Sequence, residues 1–460
     1  MTVVLPAPDG PNIKINIFCI LMKEQKKTTQ QSLDLGMPLS DRAILPSPKR
    51  TRQDLVADGE MPWGLAYAAF SRSFASAAIS ELKGATHLII VDPFVGSGTT
   101  VEASLENGCS CIGIDLNPYS ALTSRVRGVK RQSIEGVQRI LDSLKTAKAQ
   151  EDDLGKDQAD PVALLIGELG HRLKVNKTQV VQEICSRKSN DFDDELIALC
   201  SITYAARLAS NLSRGSNPTW PQNLGGEIKS ERGGLVKLAE QVSSHMLESL
   251  RAQTKSGDTF TQVFNSDFAS ARLLNGSIKR FLTSPPYLNR LDYVRSNLPE
   301  IQRLTTSDSE QVEDLRSRMM GTTKIRGMST ELKAHILSSL TANAVIEEIR
   351  CHPTKASGTY YFQFFLQYFL DLERFFRWLS LKTCIGAVGM IVLQNSYYKD
   401  LPIPLVDIYQ EMAEIYGFRS KIVAEWKKSN HIGQMSPTQR KHAPGKVLTE
   451  SVVLLEKICG

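Results

Sequence analysis

One stretch decides the fold of this chain: Asp92-Pro93-Phe94-Val95-Gly96-Ser97-Gly98-Thr99-Thr100. It is entered by the apolar run Leu88-Ile89-Ile90-Val91, which predicts a strand. It is left by a segment of helical periodicity that starts at Thr100 and stops at Gly108. A strand, a glycine-rich turn and a helix in this order direct free backbone N–H groups at a ligand. The stretch therefore predicts the first half of a nucleotide-binding βαβ unit.

A second apolar strand, Cys111-Ile112-Gly113-Ile114, follows and delivers Asp115, 23 residues after Asp92. Nucleotide-binding βαβ units place an acid at this position, where it accepts hydrogen bonds from ribose hydroxyls. A phosphate-binding P-loop is excluded because it needs a lysine after its last glycine, and Gly98 is followed by two threonines. Far downstream lies a second motif, Thr283-Ser284-Pro285-Pro286-Tyr287. Loop, acid and remote motif together are more specific than the glycine loop alone.

The two motifs resemble those of the DNA methyltransferases that methylate exocyclic amino groups with S-adenosylmethionine. The resemblance covers about residues 61–118 and 262–457 and implies double-stranded DNA as substrate. It implies that the first motif binds the methionine part of the cofactor, through Asp92, Pro93, Phe94, Gly96, Ser97, Gly98, Thr99 and Thr100. It also implies that Ser284, Pro285, Pro286 and Tyr287 hold the target base.

The chemistry of these residue types agrees with those roles. An exocyclic amine is a poor nucleophile, and Ser284 with the Pro285 carbonyl can accept its two hydrogens, while the prolines fix φ. Tyr287 offers a ring on which an extruded base can stack. Asp267 follows the next strand and is a candidate acceptor for the adenine amino group of the cofactor. The alternatives are turn-forming carboxylates at Asp92, Asp115 and Asp267, and a surface turn at the second motif.

The expected architecture is an α/β, Rossmann-like sheet, mostly parallel, with an antiparallel C-terminal hairpin and a helical insertion or second lobe. The cofactor loop precedes the catalytic motif, which excludes the permuted order of this family. The hairpin is predicted from β-type alternation in residues 419–426 and 446–456. The predicted divisions are a loosely ordered arm (1–45), the cofactor-binding part (46–130), a helical insertion (131–255), the catalytic part (256–300), a candidate target-recognition region (301–358) and the C-terminal part of the sheet (359–460).

Composition sets weaker limits. The 460 residues carry a net charge of +6, which suits a polyanionic partner without requiring one. Eight cysteines show no C-x-x-C and no zinc spacing, so we expect no metal and expect Cys109 and Cys111 to be buried thiols in a reducing cytoplasm. Apolar runs stay short of the 18 residues that span a membrane. Met22 is an alternative to Met1 as the natural start.

Other candidates have no pattern as specific as the two motifs. Two basic clusters are predicted either to grip DNA phosphates or to be solvated: Lys427, Lys428, Arg440 and Lys441, and Arg316 and Arg318 with Lys324 and Arg326. The aromatic helix around residues 360–381 is expected to be core, with Tyr360 or Tyr361 as candidates for lining a base pocket.

Serine in the first catalytic position favours cytosine N4 methylation, whereas aspartate or asparagine is more typical of adenine N6 in this family. An adenine-N6 enzyme, an RNA or protein amino-methyltransferase and a non-catalytic nucleic-acid-binding module are the other hypotheses. A partner restriction nuclease or other defence protein is compatible with the resemblance. The sequence leaves the target sequence and the oligomeric state open.

Overall fold

The computed structural model describes residues 2–5, 13–16, 45–48, 69–84, 88–130, 132–146, 160–210, 232–253, 258–288, 291–305, 309–329, 335–428 and 447–459. The chain forms two compact units, Met1–Ala43 and Ile44–Gly460. The first unit contains an antiparallel pair, β1 (Thr2–Leu5) and β2 (Ile13–Asn16), where the sequence predicts a loosely ordered arm. The finer divisions predicted within the second unit remain predictions.

A seven-stranded sheet forms the centre of the second unit. Its strands are β3 (Ile89–Asp92), β4 (Ser110–Asp115), β5 (Thr261–Asn265), β6 (Ile278–Thr283), β7 (Thr383–Gln394), β10 (Phe418–Lys428) and β11 (Leu448–Lys457). They are ordered β5-β4-β3-β6-β7-β11-β10. The first five are parallel, and β11 is antiparallel to both β7 and β10. This confirms the α/β, Rossmann-like fold and the C-terminal hairpin predicted from the sequence.

Helices pack on both faces of the sheet. They are α1 (Arg72–Lys83), α2 (Thr99–Glu106), α3 (Pro118–Arg127), α4 (Ile134–Thr146), α5 (Pro161–Leu173), α6 (Val180–Ser186), α7 (Asp193–Ala209), α8 (Arg232–Ala252), α9 (Tyr293–Ser296), α10 (Leu298–Thr305), α11 (Ser309–Arg318), α12 (Leu340–Cys351), α13 (Phe362–Lys382) and α14 (Leu405–Ile415). A π-turn, Ser357–Tyr361, leads into α13, and a small hairpin of β8 (Ser396–Tyr398) and β9 (Leu401–Ile403) precedes α14. Residues 215–226, whose Ser-Asn-Pro-Thr-Trp-Pro segment predicts a loop, lie outside the described residues.

The alternation of side chains along β4 separates two hydrophobic cores. Cys111 points into a core that contains α2 to α8, and Ile112 and Ile114 point into one formed with α12, α13 and α14. The helices of the predicted insertion therefore share a core with β4 and β5. Cys109 and Cys111 are buried thiols, as expected.

The direction of the parallel strands decides where a ligand can bind. The carboxyl ends of β3, β4, β5 and β6 lie at one edge of the sheet, and the chain continues there into both sequence motifs. In open α/β sheets this edge forms the ligand crevice. No helix among the described residues is long and apolar enough to cross a membrane.

Candidate active site

The two motifs, 183 residues apart in the chain, line one cleft at the carboxyl edge of the sheet. The cleft holds about 1310 Å³ of free space, counted out to open solvent. Predicted residues that line it are Asp92, Pro93, Phe94, Gly96, Ser97, Thr99, Thr100, Asp115, Asp267, Ser284, Pro285, Pro286, Tyr287 and Arg318. The fold therefore brings together almost every cofactor and catalytic residue inferred from the sequence.

Asp92 joins the two motifs. Its buried carboxylate accepts hydrogen bonds from Thr100 Oγ1 (2.5 Å) in the glycine loop and from Thr283 Oγ1 (2.6 Å) at the end of β6. It also accepts from the backbone N–H of Phe94 (3.0 Å), the turn geometry considered as an alternative role. Burial raises the pKa of Asp92 to about 6, while these hydrogen bonds lower it. A cofactor amino group would meet this carboxylate in an already ordered network.

Asp115 closes the glycine loop from the neighbouring strand. Its carboxylate accepts from the backbone N–H groups of Gly96 (3.0 Å) and Asn117 (2.8 Å). Burial raises the pKa of Asp115 to about 7, while the same two hydrogen bonds lower it. A side chain at Gly96 would project into open cleft, because the nearest atom to a Cβ there is the Phe94 carbonyl oxygen at 3.9 Å. The loop thus leaves room for a ligand at Gly96.

Packing within the protein requires glycine at position 98, and the predicted part of Gly98 in cofactor binding stays a prediction. The φ of Gly98 is +92°, and a Cβ there would lie 2.7 Å from Ser124 Cα and 3.1 Å from Arg127 Cδ, both on α3. Gly98 therefore allows the loop to pack against α3. Open space in the cleft, where a ligand could approach the backbone, lies at Gly96 instead.

Asp267 lies at the opposite end of the cleft, beyond β5. It caps the short turn that follows by accepting from Ala269 N (2.8 Å), and it forms an ion pair with Arg374 (2.6 Å). The Arg374 guanidinium also lies over the Phe268 ring, 5.0 Å from its centroid. The Phe268 ring could pack against a purine, and the Asp267 carboxylate could accept a hydrogen bond from an exocyclic amine in place of Arg374.

The catalytic motif is held from behind by buried side chains. The Tyr287 hydroxyl donates to Glu450 Oε1 (2.9 Å) on β11, and Tyr368 Oη donates to the Pro286 carbonyl (3.1 Å) from α13. Ser396 Oγ donates to the carbonyl of Leu288 (2.5 Å). Burial raises the pKa of Tyr287, with the adjacent Glu450 as the next cause. The motif is therefore rigid before any substrate contacts it.

Sequence reasoning missed several residues of the cleft: Asn117, Phe268, Tyr293, Asn297 and Arg374 line it, and Glu450 lies behind it. Phe268 follows Asp267 directly and was the most accessible from the sequence. Asn117 and Tyr293 also lie within six residues of the predicted residues Asp115 and Tyr287, whereas Arg374 and Glu450 are distant in the chain. Phe70, which precedes α1, lines the cleft as well.

The basic clusters fare differently. Arg316 is buried and donates to Asp292 (2.8 Å) and to Glu313, so it is not available to phosphates and its predicted role is wrong. Lys324 pairs with Glu313 (2.9 Å) and Arg326 with Asp371 (2.7 Å). Arg318 lines the cleft and pairs with Asp314 from an exposed position.

In the second cluster, Lys427 is exposed near the end of β10. The side chain of Lys428, and Arg440 and Lys441, lie outside the described residues. Tyr360 donates to the Thr323 carbonyl (2.9 Å), away from the cleft lining, and Tyr361 lines a separate small cavity. Within the described part of the chain, no group of acidic, histidine or cysteine side chains is arranged to hold a metal ion.

No family model matches the chain. A stretch of 71 residues, 15% of this chain, is 39% identical to the Type II methyltransferase M.MjaII of Methanocaldococcus jannaschii and spans 13% of that protein. The rRNA methyltransferase aviRa from Streptomyces viridochromogenes aligns over 90% of this chain and 97% of its own, with 11% identity and a TM-score of 0.29. The chain is thus similar in part of its sequence to a methyltransferase.

Proposed function

We propose that this protein is an S-adenosylmethionine-dependent methyltransferase that acts on the exocyclic amino group of a base in double-stranded DNA, with cytosine N4 favoured. One observation carries the proposal: Asp92 accepts hydrogen bonds from Thr100 of the cofactor loop and from Thr283 of the catalytic motif. A methyl donor held by the loop would therefore lie directly beside the residues that hold the acceptor. The partial sequence similarity to a Type II methyltransferase supports the same reaction.

The residues of the cleft fit the cofactor. The open space at Gly96, the N-terminus of α2, and carboxylates at the ends of β3, β4 and β5 match its methionine, ribose and adenine parts in order. When bound, S-adenosylmethionine supplies an already activated methyl carbon on a sulfonium. Asp92 holds the amino group, Asp115 accepts from the ribose hydroxyls, and Asp267 accepts from the adenine amine.

The protein's contribution to the reaction is alignment, exclusion of water and stabilisation of the nucleophile. Ser284 and the Pro285 carbonyl accept the two amino hydrogens of the target and direct the nitrogen lone pair at the methyl carbon. Tyr287, fixed by Glu450, supports the plane of the extruded base.

The choice of cytosine rests on Ser284, as does the ranking of adenine N6 second. RNA and protein are the competing substrates, because amino-methyltransferases that act on them have a related Pro-Pro-Tyr motif. The test is incubation with isotopically labelled cofactor and unmethylated genomic DNA, total RNA or bulk protein in parallel, followed by nucleoside mass spectrometry. We expect label in N4-methylcytosine from DNA. Label in N6-methyladenine would overturn the base, and label in RNA or protein alone would overturn DNA as the substrate.

A further inference from the structure

Tyr293 is a cleft residue to which neither motif assigns a role. It is the first residue of α9, a single helical turn that begins six residues after Tyr287. It lines the cleft together with Ser284, Pro285 and Asp115. Tyr293 therefore belongs to the same cleft as the second motif and Asp115.

The backbone at the start of α9, which carries Tyr293, is held by buried hydrogen bonds. The preceding residue, Asp292, is buried and caps α9 by accepting from Arg295 N (2.9 Å). Arg316 clamps the same carboxylate with two hydrogen bonds, at 3.0 and 2.8 Å. The buried ion pair between Arg316 and Asp292 thus stabilises the backbone next to Tyr293.

The hydroxyl of Tyr293 can both donate and accept a hydrogen bond. Its side chain lies close to the backbone N–H of Tyr287 and lines the cleft. Burial raises the pKa of Tyr293 to about 12, so the hydroxyl keeps its proton throughout the physiological range.

The bases named by the proposed function present a matching pattern. In cytosine the N4 amine adjoins the unprotonated ring nitrogen N3, and in adenine the N6 amine adjoins N1. Each edge thus combines an amine donor with a neighbouring acceptor, and enzymes read flipped bases on this Watson–Crick edge. Ser284 and the Pro285 carbonyl offer acceptors for the amine, so a donor beside them completes the recognition. Uracil, thymine and hypoxanthine carry N–H at the corresponding ring position and would oppose such a donor.

Resting on the proposed function, we infer that the Tyr293 hydroxyl donates a hydrogen bond to the ring nitrogen next to the target amine and so selects the base for methylation. Tyr293 is then a recognition residue that contacts the substrate, and it lines the same cleft as the residues proposed to hold the amine.

The experiment pairs a change in the protein with a change in the base. The methylated sites are first mapped on genomic DNA, and a short duplex containing one site is synthesised. A second duplex carries 3-deazacytosine at the target, or 1-deazaadenine if the product is N6-methyladenine, which replaces the ring nitrogen by C–H. Single-turnover rates and cofactor affinities are measured for wild type and Tyr293→Phe. Tyr416→Phe serves as the control, because that phenol donates to Glu373 (3.2 Å) outside the cleft.

We expect Tyr293→Phe to slow methylation of the normal duplex by roughly 10- to 100-fold, as for loss of a substrate hydrogen bond. The deaza base should slow the wild type by a similar factor, and the two changes together should cost no more than either alone. Tyr416→Phe should show the full deaza effect. A purely structural role for Tyr293 would instead give losses that multiply, which would overturn the inference.

Two further outcomes are decisive. If Tyr293→Phe weakens cofactor binding and leaves the deaza effect intact, the proton serves Asp115 or the cofactor, and the inference is wrong while the proposed function stands. If the wild type methylates no DNA, the proposed function fails and the inference falls with it.

Discussion

At the scale of single residues, the proposed contact of Asp115 with the cofactor would make cofactor affinity depend on pH. The pKa of Asp115, raised by burial to about 7, means that half of the carboxylates are protonated near neutral pH. In the folded protein this carboxyl therefore favours the protonated form, and its contribution to stability is lost as pH rises through about 7. Ribose hydroxyls, however, donate to the ionised form. Cofactor binding and folding thus favour opposite protonation states of one side chain.

We predict that affinity for S-adenosylmethionine decreases as pH falls below about 7, by up to about tenfold per pH unit, because binding must first remove the proton from Asp115. Calorimetric titration over a series of buffers measures this dependence. Asp115→Asn should bind more weakly, by about 1–3 kcal/mol, and lose the inflection near pH 7. An inflection that persists in Asp115→Asn would assign the titration to another group.

Tyr287 allows stacking and anchoring to be separated. We predict that Tyr287→Ala keeps cofactor affinity and loses methyl transfer, because base stacking on one ring contributes about 1–3 kcal/mol and misalignment of the amine adds to the loss. Tyr287→Phe should retain most activity, since the ring remains and only the bond to Glu450 is removed. Single-turnover methylation rates decide between them. Normal turnover by Tyr287→Ala would remove the catalytic site from this motif.

At the scale of elements, two glycines of the loop between β3 and α2 allow effects on stability and effects on cofactor affinity to be measured separately. We predict that Gly98→Val destabilises the protein by more than about 1–3 kcal/mol, because its side chain would overlap α3 and its φ is unfavourable for a branched residue. Gly96→Ala should fold with a small loss and weaken cofactor binding, because its methyl group enters the open cleft. Chemical denaturation and calorimetry on both variants measure the two effects. Equal stability of Gly98→Val and wild type would contradict the packing seen here.

The sequence predicted elements well where one local pattern decides them. Apolar runs that end in acids predicted β3 and β4, and alternation in residues 419–426 and 446–456 predicted the closing hairpin, whose strands span Phe418–Lys428 and Leu448–Lys457. It failed where a partner distant in the chain decides the role of a residue. The sequence does not show that Arg316 forms an ion pair with Asp292, so Arg316 was predicted to contact phosphates. Nor does it show that Glu450, in the hairpin, accepts a hydrogen bond from Tyr287.

At the scale of the whole molecule, the C-terminal hairpin brings a positive charge to the edge of the sheet at which β7 has its carboxyl end. Lys427 pairs in register with Thr449, beside the end of β7, whereas Lys421 lies towards the opposite edge of the same strand. If Lys427 contacts a DNA phosphate, Lys427→Ala should weaken binding and reduce the slope of log affinity against log salt by about 0.9. Lys421→Ala, with the same change in charge, should leave the slope unchanged. Fluorescence anisotropy at several salt concentrations measures both, and equal slopes would show that this edge stays off the DNA.

The position of β11 between β7 and β10 has a consequence for biosynthesis. Glu450, which accepts the hydrogen bond of the Tyr287 hydroxyl, lies 163 residues further along the chain. At about 5–20 residues per second, translation of that interval takes roughly 8 to 30 seconds. During that time the nascent chain already contains the complete glycine loop and Tyr287, while the strand that carries Glu450 has not been synthesised. The buried surroundings of Tyr287 are therefore completed only when synthesis of the sheet is nearly finished.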